Sequence, residues 1–286
     1  MDQRTIVITG ANTGIGLETA VSLASSGERV IIACRNPAKA DAAVAEISAR
    51  AASSDVSAVP LDLASLASVR ACAAELGRRC ERIDVLINNA GLIQSGRETT
   101  VDGFETTFGV NHLGHFLLTD LLGDLVKAAP TPRVINLASV AHWFAVGGLN
   151  FEDLQSVRFY NVWVAYGRSK LANILFTDEL ARRWRDAGVC VSSVHPGVVR
   201  SGFGQDGDTR GIADKLIDIS KPFSITPDRG ADTSVWLATA AAGADLDRSG
   251  TFWASRKPSL RAPWARRRTD AARLWAESEE LIASVS

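Results

Sequence analysis

The chain alternates short β-branched runs with longer stretches of helical spacing, and that alternation limits the folds open to it. The runs are Thr5–Thr9, Arg29–Cys34, Val56–Leu61, Ile83–Asn88 and Arg133–Ser139. Between them lie Gly14–Ser25, Pro37–Arg50, Leu66–Arg79 and Phe104–Lys127, rich in Ala, Leu and Glu. Continuously apolar strands are buried on both faces, which marks a parallel sheet covered by helices. Strand–helix alternation then implies a doubly wound α/β fold. A sixth unit follows, a helix from about Trp163 to Arg185 stopped at Gly188, then the strand Val189–His195. Gly250–Ala254 reads as a last strand. The expectation is one Rossmann-type domain over residues 1–286, with a central parallel sheet of about seven strands and helices on both faces.

Two segments depart from the alternation. Pro196 to Pro227 is rich in Gly, Asp, Ser and Pro, with one amphipathic patch at Ile212–Ile219. It is too long for an ordinary loop and reads as a substrate lid over about residues 197–226. Thr226-Pro227 opens another helix. Arg256–Arg268 is basic and irregular, and Thr269–Ser284 reads as a final helix, so residues 256–286 form a tail.

Charge and cysteines narrow the classes. Lys and Arg number 31 against 32 Asp and Glu, a net charge of −1, so no nucleic-acid partner is expected. The four cysteines, Cys34, Cys72, Cys80 and Cys190, form no CxxC pair and read as thiols of a reducing compartment. Met1-Asp2-Gln3-Arg4 runs straight into Thr5 without a signal-peptide core. No apolar run approaches the ~18 residues of a membrane span. The expectation is a cytoplasmic protein with no stable membrane insertion.

Gly10-Ala11-Asn12-Thr13-Gly14-Ile15-Gly16 follows the first run and opens the first helix. Glycines let the backbone turn tightly and approach a pyrophosphate, which sits on the free N–H groups of the helix N-terminus. The spacing is GxxxGxG, not GxGxxG, and no Lys follows as in a P-loop. The alternative is a glycine-rich turn without ligand. At the end of the second run an NAD site carries an acid for the ribose 2′-hydroxyl. This chain has Arg35 and Asn36 there, and no acid until Asp41. Arg35 suits a 2′-phosphate, so NADP(H) is expected; the alternative is a solvated surface arginine. Asp62, beside Leu63 after the third run, either bonds an adenine amine or caps the helix beginning near Ser65.

Tyr166 and Lys170 are four residues apart, hence on one helix face. Free tyrosine, with a pKa near ~10, is a poor acid–base catalyst at neutral pH. An ammonium and an oxidised nicotinamide beside it would favour the phenolate. Ser139, ending the fifth run, would hold a substrate oxygen. Tyr-x-x-x-Lys alone is also a common surface pair, but Tyr166 is one of only two tyrosines.

The chain here resembles the short-chain dehydrogenases/reductases. The motifs carrying the resemblance stand in order: Thr9–Gly16, Asn88-Asn89-Ala90-Gly91, Asn111, Ser139 with Tyr166 and Lys170, and His195-Pro196-Gly197. It spans about Thr5 to Ala254. Ala33-Cys34-Arg35-Asn36, Val110–Leu118, Tyr166–Asn173 and Leu274–Glu279 look like the retinol-dehydrogenase-like branch, which also holds WW-domain oxidoreductases and protochlorophyllide reductases. The resemblance implies that Tyr166 is the general acid–base. Lys170 would bond the nicotinamide ribose and lower the Tyr166 pKa, and Asn111 would hold a water linking Lys170 to solvent. Asn89 would pack by the adenine ribose with Ala90 and Gly91 close by, and Pro196, Gly197 and Val199 would border the nicotinamide. The branch's frequent anchor ahead of the first strand, its WW modules, and the pigment reductases' extra cysteines and insertion are not seen.

The expected partner is a small lipophilic carbonyl or alcohol. Phe203, Ile212, Leu216, Ile217 and Phe223 of the lid, with Trp143 and Phe144, would line its pocket, and several could equally be core. His142 reads as lining that pocket or as sitting on a surface loop. His112 and His115 lack further ligands nearby, so packing is expected and no metal. The basic residues Arg256, Lys257, Arg261 and Arg266–Arg268 read as a solvated face, the alternative being contact with an anionic membrane. Relatives pair through the Tyr-bearing helix and the next one, as homodimers or homotetramers, and the final helix would support or block such pairing. A non-catalytic NADP(H)-binding regulator on the same fold is the other reading.

Overall fold

The structure, a computed structural model, describes residues 3–52, 55–199, 224–240 and 248–285. In chain order the regular elements are β1 (Thr5–Thr9), α1 (Gly14–Ser25), β2 (Arg29–Cys34), α2 (Pro37–Ala51), β3 (Val56–Pro60), α3 (Leu66–Arg79) and β4 (Val85–Asn88). They continue with α4 (Thr106–Phe108), α5 (Gly114–Leu121), α6 (Gly123–Lys127), β5 (Arg133–Leu137), α7 (Val162–Arg183) and β6 (Cys190–His195). Last come α8 (Pro227–Thr239), β7 (Thr251–Ala254), β8 (Lys257–Pro258) and α9 (Arg268–Ala283).

The sheet order is β3-β2-β1-β4-β5-β6-β7-β8. All neighbours are parallel except β7 and β8. The order reverses between β1 and β4, and ligands of such sheets bind beyond the strands' C-terminal ends at that point. Thr9, Asn88, Leu137 and His195 are the last residues of β1, β4, β5 and β6. Period-two alternation divides the core. Phe252 joins a cluster with Phe116, Leu171 and Trp275, while Trp253 joins Ile8, Ile32 and Ile135 on the other face.

Caps set the helix starts. Asn36 accepts from Lys39 N at 3.0 Å, with Pro37 next, and Ser65 accepts from Ser68 N at 3.3 Å. Asn161 accepts from Trp163 N and Val164 N at 3.0 and 3.2 Å. The expected single helix Phe104–Lys127 is instead broken. Glu105 caps α4 through Thr107 N and Phe108 N (2.8 and 2.7 Å), and Gly109–Leu113 forms a π-helical turn before α5. Close packing accompanies this turn: a Cβ on Gly114 would lie 2.7 Å from Leu63 O. The sheet has eight strands, not seven, because the basic tail first folds back as β8. Ser255 and Arg256 both take positive φ, 50° and 58°, to make that hairpin turn.

The tail is therefore ordered where irregularity was expected. Arg256 pairs with Asp232, Arg261 with Asp178 at 2.6 Å, and Arg267 with Asp270 at 3.6 Å. Helix α9 lies along one flank of α7, where Trp275 stacks near Phe176, Phe116 and the Arg183 guanidinium. No helix among the described residues is long and apolar enough to cross a membrane.

Candidate active site

The glycine turn leaves β1 with Gly10 at φ +64° and enters α1 with Gly14 at φ +57°, values that favour glycine. Gly16 has no room for a side chain: a Cβ would sit 2.5 Å from Asn89 Nδ2 and 2.6 Å from Gly10 O. Thr13 is the N-cap of α1 but makes no side-chain cap bond, and the first turn holds no acid. Its N–H end is thus open to an anion, unlike those of α2, α3 and α7. Asn12 is half-buried and Thr13 exposed beside it, with Ile15 half-buried. The residues fit a dinucleotide pyrophosphate.

Arg35 follows β2, exposed, with no hydrogen bond or ion pair among the described residues. Asn36 instead uses its side chain to cap α2. Asp62 does not cap α3, since Ser65 does. Its Oδ1 accepts from Ala64 N at 3.0 Å, holding the turn after β3, and Leu63 beneath it is buried.

Thr9 joins the two halves of the site. Its Oγ1 accepts from Asn89 N (2.9 Å) and Ala90 N (3.0 Å), so its proton goes to His115 Nε2 at 2.9 Å. His115 Nδ1 then donates to Asn111 O at 3.2 Å, on the π turn. Asn89 Nδ2 donates to Thr9 O at 2.8 Å. The Asn111 amide clasps Leu92 in both directions (2.8 and 2.9 Å) and donates to Ser169 Oγ at 3.0 Å. Ser169 Oγ in turn donates to Tyr166 O at 2.8 Å. The sequence alone gives Thr9 and Ser169 no role of their own and expects only packing of His115. Their partners lie up to 106 positions away.

Ser139 follows β5 and caps a short turn through Ala141 N (3.1 Å). The Tyr166 phenol hydrogen-bonds with Ser139, and burial pushes its pKa upward more strongly than that bond lowers it. Lys170 Nζ lies 5.6 Å from the Tyr166 ring centroid and donates to Leu137 O at 3.2 Å. Burial pushes its ammonium down to about 8. Burial of the phenol outweighs its hydrogen bond to Ser139, and the lowering expected from Lys170 together with an oxidised nicotinamide belongs to the cofactor-bound site. Asn173 Nδ2 shares Leu137 O at 2.9 Å. A Cβ on Gly91 would lie 3.3 Å from Lys170 Nζ, so the loop after β4 runs against the lysine.

Pro196 and Gly197 follow β6, with Gly197 at φ +93°. Val199 bridges to Ile225, and a Cβ on Gly230 would meet both Val199 (2.7 Å) and Ile15 (3.2 Å). Val199 and Ile15 thus both pack onto Gly230 of α8. Trp143 is 44% exposed and Phe144 51%, edge-on to Trp264 and Trp163 respectively. Phe203, Ile212, Leu216, Ile217 and Phe223 lie outside the described residues.

His142 neither lines a pocket nor sits on a surface loop. It is fully buried, with Nδ1 on Ser139 O at 2.6 Å, Nε2 accepting from Ala262 N at 3.1 Å, and its ring edge-on to Phe252. With both nitrogens held by backbone, it ties the catalytic turn to the tail. His112 bonds Ser278 of α9 at 2.9 Å. No cluster of metal-ligating side chains exists among the described residues.

Burial lowers His112 to about 3 and His115 and His195 to about 4, from 6.5. Each is neutral when folded and charges more readily when unfolded. The histidines' contribution to stability is therefore complete above about pH 6.5 and is lost as pH falls towards 4. Each tenfold rise in proton concentration across that window costs about 1.4 kcal/mol at each histidine. The thermal midpoint is expected to drop steeply between pH 6.5 and 4.5; a flat midpoint there would contradict the neutral assignments.

The short chain dehydrogenase family model matches residues 4–210. The chain belongs to that family. It is 44% identical to human retinol dehydrogenase 13 over 283 residues, covering 98% of this chain and 84% of that protein. Identity to human retinol dehydrogenase 12 is also 44%, over 98% of this chain and 86% of that one. Among solved structures, an uncharacterised protein of Mycobacterium paratuberculosis matches with a TM-score of 0.78 and 37% identity, covering 98% and 94% of the two chains. The active-site complex of Pseudomonas aeruginosa RhlG with NADP matches at 0.68 and 28%, covering 88% and 94%. Within the family the chain is of the retinol-dehydrogenase-like branch. It is an oxidoreductase acting on CH–OH/C=O groups.

Proposed function

We propose that the chain is an NADP(H)-dependent carbonyl reductase for a lipophilic aldehyde or ketone. The observation carrying this reading is the Tyr166 phenol, held by Ser139 above Lys170 and within the same frame as the glycine turn. When bound, a reduced nicotinamide would supply the hydride for the carbonyl carbon. Tyr166 gives its proton to the carbonyl oxygen, which Ser139 orients. Buried and neutral, the phenol carries its proton at neutral pH and so has one to give. Lys170 would hold a cofactor ribose and Asn111 a water on the way to solvent, as the resemblance implies. Asn12, Thr13 and Gly14–Gly16 would receive the pyrophosphate, Asp62 and Leu63 would border the adenine, and Asn89–Gly91, Pro196, Gly197 and Val199 would enclose the rest. Trp143 and Phe144, both half-exposed, favour an apolar substrate. No observation favours a binding-only role. The free cysteines suit a reducing compartment, and we assign the cytoplasm.

Purified protein is tested for NADPH consumption against retinal, long-chain and aromatic aldehydes, steroid and quinone ketones and small polar aldehydes, with Tyr166→Phe as blank. Tyr166-dependent turnover of a lipophilic carbonyl is expected. Turnover of polar aldehydes alone would overturn the substrate class.

Arg35, exposed and without a partner among the described residues, underlies the cofactor preference. A charged hydrogen bond is worth about 1.5–3 kcal/mol, or about 10–150-fold. Arg35→Ala is expected to weaken NADPH by that factor and to leave NADH nearly unchanged in fluorescence titrations. Equal losses would show that Arg35 does not read the 2′-phosphate.

A further inference from the structure

A concavity lies among the described residues at the far end of the sheet from Tyr166. It opens where β5, β6 and β7 begin, between the C-terminal half of α7 and the start of α9, with a volume of about 1410 Å³. Arg133, Arg182, Arg185, Arg261, Arg266 and Arg268 line it, against only two acids, Asp178 and Glu179. The whole chain carries a net charge of −1, so this concentration is local.

Most of these groups already have work in the fold. Asp178 takes Arg261 through both oxygens, at 2.6 and 2.8 Å. Glu179 takes Arg182 and Arg183, at 2.6 and 2.8 Å. Arg133 is locked onto the carbonyls of Leu237 and Ala240, closing the end of α8. Three arginines remain. Arg185, Arg266 and Arg268 are exposed and have no hydrogen bond or ion pair to another described residue. The N-terminus of α9 faces the same place: Arg267 makes no side-chain cap, and Asp270, the acid of the first turn, is turned to Arg267.

Arg185, Arg266 and Arg268 line a half-enclosed space with no bonded acid among the described residues, only Arg268 being offset at longer range by Asp178, and the concave wall focuses their field. Pro132, Val189, Ala181 and Ala271 make part of that wall apolar. Guanidinium matches phosphate in bidentate geometry better than any other side chain, and open helix N–H groups add donors. We propose that this groove binds a phosphate-bearing ligand with more than one phosphate, free or displayed on a lipid headgroup, at a site separate from the catalytic one. The basic tail singled out in the sequence thereby divides: Arg256, Arg261 and Arg267 hold the fold, and Arg266 and Arg268 serve the groove.

The test uses the full chain saturated with NADPH, which keeps phosphate probes out of the cofactor site. Tripolyphosphate is titrated calorimetrically at low and high salt, and sedimentation is followed with phosphatidylcholine vesicles with and without a phosphoinositide. Saturable binding of one probe is expected. It should weaken with salt, and at least tenfold in Arg185→Gln and in the Arg266→Gln/Arg268→Gln double variant. Arg78→Gln, on the exposed face of α3, should leave it unchanged, as should turnover in all three variants. Vesicle binding with weak tripolyphosphate binding assigns a headgroup; the reverse assigns a soluble ligand. Absence of saturable binding to both probes, or binding untouched by the groove substitutions, overturns the proposal.

Discussion

Tyr166→Phe is expected to cut kcat by about a thousandfold while the NADPH dissociation constant stays within about twofold, since a positioned acid contributes about 10²–10⁴. The phenol hydroxyl is what the substitution removes. Its ring, 5.6 Å from Lys170 Nζ, remains to pack against the lysine stem. Ser139 loses a partner but keeps Ala141 N, so the turn after β5 should hold. A structural role would lower the melting temperature and spare the rate; the proposed role does the reverse. The parent should also lose reductase rate above about pH 8, where Lys170 gives up its charge. The sign follows from burial, which disfavours the ammonium and brings its titration into the working range. Turnover of the phenylalanine variant near the parent rate would remove Tyr166 from the chemistry. It would leave the fold and the cofactor cradle untouched.

What could be read beforehand divides by the distance over which a signal acts. Strands β1 and β2 fell where apolar runs placed them, and Asn36-Pro37 set α2, because caps and runs are local patterns. The helix expected over Phe104–Lys127 failed at Gly109–Leu113, where one extra residue per turn barely disturbs the apolar periodicity. Strand β8 escapes the sequence because its turn uses Ser255 and Arg256 at positive φ instead of Asn-Gly. His142 misleads for a third reason. A histidine three residues past Ser139 looks like a pocket residue, but its partner Ala262 lies 120 positions on. The same holds for His115 and Thr9, whose hydrogen bond joins the cofactor side of the site to the Asn111 turn. Residue types that do chemistry can be seen in a sequence. The residues that hold them in place become visible only when the chain closes on itself.

Gly16→Ala should have the second large effect, on cofactor binding and stability together. The new methyl would stand 2.5 Å from Asn89 Nδ2, 2.6 Å from Gly10 O and 2.8 Å from Ala11 Cα. Two of those neighbours are backbone of the glycine turn itself, and the third is the amide that holds Thr9 O. None is the free end of a flexible side chain, so relief requires moving the turn. Overpacking of this kind costs about 1–3 kcal/mol. For a chain of this size that is several degrees of melting temperature, at about 2–4 °C per kcal/mol. The displaced turn is also the surface proposed to meet the pyrophosphate, so NADPH should bind at least tenfold more weakly. Gly77→Ala is the matched control. Gly77 lies within α3 with nothing within 4 Å of its added Cβ, so alanine there should stabilise by up to about 1 kcal/mol and leave NADPH binding alone. If Gly16→Ala lost stability but kept NADPH affinity, the turn would be a packing device and the pyrophosphate would lie elsewhere. If both fell while Gly77→Ala rose, one absent methyl would account for the close approach of β1, the loop after β4 and the cofactor.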